Sequence, residues 1–102
     1  MELTVLTVPD CPHASLFEAR LADALVGLPR VEITRVVVTD AAQAEEWGML
    51  GSPTLLINGV DPFSVPGQVG SLSCRLYRDD DGHTSGAPSA AAIRAAIQLA
   101  QT

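Results

Sequence analysis

Two β-rich runs, residues 2–8 (Glu-Leu-Thr-Val-Leu-Thr-Val) and 31–38 (Val-Glu-Ile-Thr-Arg-Val-Val-Val), bracket a segment in which Phe17, Leu21, Ala24, Leu25 and Leu28 recur at helical spacing. A strand, a helix and a strand in that order leave few arrangements open. The two strands lie parallel, and the helix crosses between them in a right-handed sense. Pro9 stops the first run, Pro12 suits the first helical position, and Gly27 with Pro29 ends the helix. The apolar end of the second run predicts a strand buried on both faces. Asp40 followed by Gln43 reads as a capping box for a short helix through about Leu50, with Trp47 and Leu50 turned inward.

Residues 54–57 (Thr-Leu-Leu-Ile) make a third strand, stopped by Asn58-Gly59. Asp61-Pro62, Pro66-Gly67 and Gly70 mark residues 58–71 as a loop. A fourth strand over 72–78, a turn at 79–82 and a helix over 89–100, with Ile93, Ile97 and Ala100 on one face, complete the chain. The order β-α-β-α-β-β-α predicts a single α/β domain over residues 1–102, with a closing antiparallel hairpin and a four-stranded mixed sheet flanked by helices. The alanine-rich last helix presents a shallow surface suited to a homodimer or to solvent.

Twelve acidic residues against six arginines give a net charge of −6, which repels nucleic-acid phosphate and anionic lipid. Neither nucleic acid nor a membrane is expected as a partner. Lysine is absent, so Schiff-base chemistry and a Walker-type phosphate loop are excluded. No apolar stretch has membrane-spanning length, and the run from Leu3 to Val8 lacks a basic leader. Two cysteines in such a chain suit reduced thiols in the cytoplasm better than a structural disulfide.

Cys11 is the residue best placed for chemistry. Held at a helix N-terminus, it meets unpaired N–H groups and the positive end of the helix dipole, which favour thiolate over thiol. A protonated His13 adds to that effect, while Asp10 opposes it. Cys11, His13 and Asp10 alone do not make a four-ligand zinc site, so no metal and no cofactor is expected. His83 beside the aspartates at 79–81 reads as a solvated histidine. Those aspartates lack the spacing of a calcium loop. Tyr77 and Trp47 read as core residues. Cys74, near the start of the fourth strand, is expected at the sheet end away from Cys11 as a packed thiol, unless the 58–71 loop carries it back.

In this order of elements, Cys11-Pro12-His13-Ala14 at a helix start and Ser52-Pro53-Thr54 before a strand resemble the thioredoxin fold over nearly the whole chain. That resemblance implies a cis Pro53 lying against the active cysteine, with Ser52 offering backbone hydrogen bonds to an extended substrate. Ala14 stands where such enzymes place a second cysteine, so no disulfide forms inside the motif. Pro9-Asp10-Cys11-Pro12, Gly51-Ser52-Pro53-Thr54, Ser73-Cys74-Arg75-Leu76-Tyr77 and Gly86-Ala87-Pro88 are also similar to small bacterial thioredoxin-like proteins often labelled alkylmercury lyase.

Three functions follow as expectations. The first is thiol–disulfide exchange, in which Cys11 is the nucleophile, His13 tunes its charge, and Pro12, Ser52, Pro53 and Thr54 hold a thiol or disulfide substrate. The second is handling of an organomercurial or soft metal by Cys11 and Cys74, with Asp10 as proton donor. The third is a non-catalytic binding module on the same fold.

Overall fold

A computed structural model of the chain describes residues 1–28, 30–64, 67–68, 70–79 and 81–101. Pro29, Pro66 and Asp80, on which a helix stop, a loop signal and a turn partly rest, lie outside the described residues. The elements are β1 (Glu2–Thr7), α1 (Ala14–Ala24), β2 (Glu32–Val37), α2 (Ala41–Trp47), β3 (Leu50–Ser52), β4 (Thr54–Ile57), β5 (Ser71–Cys74), β6 (Tyr77–Arg78), β7 (Thr84–Ser85) and α3 (Ala90–Gln101).

β1 occupies the centre of a three-stranded mixed sheet, parallel to β2 and antiparallel to β4. Because successive side chains alternate across a strand, β1 and β4 each feed two cores. Leu3, Val5, Leu55 and Ile57 pack with Phe17 and Leu21 of α1 and Ile93 and Ile97 of α3. Leu6 and Leu56 project the other way, onto Val38, Ala44 and Met49 beside α2. A helix pair thus covers one face and a single helix the other. Burying each of these large side chains contributes about 1.5–3 kcal/mol.

The helix ends follow local chemistry. Asp40 caps α2 by accepting the Gln43 N–H at 2.8 Å, and the Gln43 carboxamide accepts the Thr39 N–H at 3.0 Å. Gly48 closes that helix in the left-handed region, φ 70°, which glycine tolerates best. The turn sends Met49 into the core and leaves Trp47 exposed. Leu50 belongs to β3, not to the helix as expected. Arg20 of α1 donates to Ser85 Oγ and the Ala87 carbonyl, while Arg94 of α3 donates to the Ala24 and Val26 carbonyls at the end of α1. No helix among the described residues is long and apolar enough to cross a membrane.

Three expectations about the sheet are overturned. β2 lies at its edge with Val37 exposed, and the strand buried throughout is β4. The expected fourth strand breaks after Cys74, where Arg75 turns its side chain inward, and resumes as β6, which pairs with β7. Its first half, β5, joins β3 in parallel instead of extending the main sheet antiparallel. The reason is the length of the excursion after Ile57. It carries the chain back to Met49, whose carbonyl accepts the Ser71 N–H at 2.9 Å, before pairing begins.

Candidate functional site

The segment after β1 is a tight turn closed by the Cys11 N–H on the Val8 carbonyl at 3.3 Å. Pro9 supplies its second residue and Asp10, at φ 57°, its third. Aspartate is among the few non-glycine residues that accept that conformation readily. The helix starts later than the sequence suggests. His13 is the N-cap without a side-chain capping bond, and Ala14 is the first residue of α1. Pro12 therefore precedes the helix, and Cys11 reaches it through its carbonyl, which accepts the Ala14 N–H at 3.2 Å.

The Cys11 sulfur takes its partner from across the sheet. Ser52 Oγ donates to Cys11 Sγ at 3.0 Å and accepts the Val8 N–H at 3.1 Å. The amide occupies the hydroxyl's acceptor side and so aims its proton at the sulfur. Among the described residues the sulfur's hydrogen-bond partner is Ser52, not His13. The imidazole instead lies against Gly86, where an added Cβ would come 2.2 Å from its ring. Asp10 is exposed beside Cys11.

The Ser52–Pro53 peptide bond is cis and joins β3 to β4. Ser52, Pro53 and Thr54 are buried, whereas Pro12 is exposed. The Ser52 backbone, expected to be open to an extended substrate, is already paired. Its carbonyl accepts the Arg75 N–H at 3.1 Å, and Ser52 stands opposite Cys74 in the ladder. Thr54 Oγ1 is also engaged internally, donating to the Gly51 carbonyl at 2.6 Å and accepting from Arg75 at 3.2 Å.

Cys74 is therefore neither packed in the core nor at the far end of the sheet. It is exposed, its thiol is free like that of Cys11, and its strand partner is the serine that holds Cys11. Facing residues of one ladder point to the same side, so Ser52 and Cys74 share one side of the β3–β5 ribbon, whose register shifts between Leu50 and Ser52.

Behind the cis proline lies a buried polar cluster that the sequence reading missed. Arg75 Nη1 meets Asp61 Oδ2 at 2.6 Å, with both side chains only 6% exposed, and Nη2 donates to the Phe63 carbonyl at 2.9 Å. The guanidinium carbon lies 4.6 Å from the Tyr77 ring centre, and Phe63 meets that ring edge-on at 5.6 Å. The Tyr77 hydroxyl donates to the Pro53 carbonyl. Burial raises the Tyr77 hydroxyl well above its usual range; Arg75 pulls against this and Asp61 adds to it. The available signal was an arginine set between Cys74 and Leu76 in a strand run.

Among the described residues, one set of side chains brings three metal-type ligand atoms within 4.8 Å of one another: Asp79, Asp81 and His83, all exposed. Cys11 belongs to no such set. Comparison with known proteins found no matching family model, curated protein or solved structure.

Proposed function

We propose that the chain is a thioredoxin-like thiol protein of the cytoplasm in which Cys11 exchanges with disulfides through a mixed disulfide. One observation carries this reading: a hydroxyl with its acceptor side occupied by the Val8 amide is aimed at the Cys11 sulfur. The cis Ser52–Pro53 bond and the β1–α1–β2 crossover beside an antiparallel β4 support the fold part of the proposal. His13 acts as a charge-tuning neighbour, and exposed Pro12 with the rim around Pro53 contacts the substrate. The test is the rate of Cys11 alkylation by iodoacetamide at pH 7 in a Cys74→Ser background, read by intact mass. Ser52→Ala is expected to slow it on the order of tenfold, the equivalent of about 1.4 kcal/mol for one charge-assisted hydrogen bond. An unchanged rate, together with no mixed disulfide under mild oxidation, would leave a non-catalytic binding module.

A second reading rests on Cys74 sharing the Ser52 side of the ribbon. Two thiols there suit a soft cation, and exposed Asp10 is a proton source for cleaving a carbon–mercury bond. Incubation with methylmercury should then release methane, and Cys74→Ser should abolish the release. No methane from concentrated protein would refute the lyase reading.

A further inference from the structure

We propose that Cys74 is the resolving thiol for Cys11, so that one chain completes its own redox cycle without a second cysteine in the Cys11–Ala14 motif. This rests on the reading of Cys11 as a nucleophile and extends it to the residue that ends each turnover.

The geometry has three parts. Ser52 Oγ touches the Cys11 sulfur at 3.0 Å. Cys74 stands opposite Ser52 in the parallel ladder, one strand spacing further on, ~4.8 Å. As facing residues of one ladder, Ser52 and Cys74 point to the same side of the ribbon. Both thiols are free, and neither lies within a helix: Cys74 is the last residue of β5, and Cys11 sits between a turn and the α1 cap. Bridging requires Cα atoms within ~7 Å, so the step asks the end of β5, held at Arg75 by the Ser52 carbonyl, to move toward the turn. β5 also occupies the Ser52 backbone, where an extended substrate was expected to pair. The chain thus offers its own cysteine at the place of a substrate's.

The chemistry balances with a small disulfide as oxidant. The Cys11 thiolate attacks one sulfur of the disulfide RSSR, forming a mixed disulfide and expelling RS⁻. The Cys74 thiolate, its proton lost to solvent, then attacks the Cys11 sulfur. The Cys11–Cys74 bond forms, the mixed bond breaks, and a second RS⁻ leaves. Two protein thiols are oxidised by two electrons, one RSSR becomes two RSH, and the released protons end on those thiols. Excess RSH reverses the same steps.

The experiment mixes the reduced full chain with one equivalent of glutathione disulfide in the absence of air and follows intact mass, with non-reducing electrophoresis and peptide mapping. Wild type is expected to pass through a single glutathionyl adduct on Cys11 to a monomer two hydrogens lighter, with Cys11 and Cys74 linked. Cys74→Ser is expected to stop at the adduct, losing the second step alone. A lasting adduct on Cys11 in wild type, adducts on both cysteines or a cross-linked dimer would overturn the resolving role while leaving Cys11 as the nucleophile. No adduct on Cys11 in either protein would overturn the exchange reading and this inference together.

Discussion

Gly51 controls how closely β5 approaches β3. At φ 137° it occupies backbone space that L side chains rarely adopt, and a methyl group would press on Arg75 Cβ at 2.8 Å and the Ser73 carbonyl at 3.1 Å. Gly51→Ala is expected to lower unfolding free energy by about 1–3 kcal/mol, from overpacking and backbone strain. Chemical denaturation measures that loss, and an unchanged midpoint would show that the ribbon yields without cost. Gly86 holds a comparable place under the His13 ring, which a Cβ would displace. Asp10 differs from both. Its positive φ is one that aspartate adopts readily, so the turn costs little there, although residue types marked Pro9 only as the stop of a strand.

At the scale of elements, what local chemistry could show was legible: the β1–α1–β2 crossover, the Asp40–Gln43 cap and the Thr54–Ile57 strand, whereas α1 begins at Ala14 and not at Pro12. What depended on the path of the chain was not. The direction of β5 is set by how far the excursion after Ile57 travels before Ser71 meets Met49, and no periodicity encodes that distance. Reversing that one direction set Cys74 opposite Ser52 instead of at the sheet end away from Cys11. The Ser52 hydroxyl contact and the Asp61–Arg75 pair were hidden for the same reason, since each joins residues whose meeting depends on register. That pair anchors β5 to the residues after β4. Asp61→Ala, which strands a buried guanidinium, is expected to cost about 3–5 kcal/mol. The double variant D61L/R75M should recover most of that loss, because an apolar pair of similar size carries no desolvation penalty. Thermal or urea melts of both variants check this, and a double variant no better than the single one would assign the cost to packing alone.

For the molecule as a whole, the buried Tyr77 ties stability to alkaline pH. Its hydroxyl stays protonated in the folded chain well above the ordinary value of 10.0. Above pH 10 the unfolded chain releases that proton and the folded chain keeps it, so the folded state binds more protons and loses stability as pH rises. The slope reaches about 1.4 kcal/mol per pH unit, and below pH 10 the contribution is fully present. Tyr77 is the chain's one tyrosine, so the tyrosinate absorbance reports it without interference. That band is expected to appear together with loss of helical circular dichroism. A tyrosinate band titrating near pH 10 in still-folded protein would contradict the account.

The Arg94 contacts have a consequence in time. The carbonyls that end α1 find their partner on the last helix of the chain, and Phe17 and Leu21 wait for Ile93 and Ile97 to cover them. During synthesis Cys11 therefore emerges from the ribosome long before Ser52, Cys74 and finally α3 exist to hold it. The thiol acquires its companions in the order in which they are translated, first the Ser52 hydroxyl and only afterwards the α3 side chains that close the core behind α1.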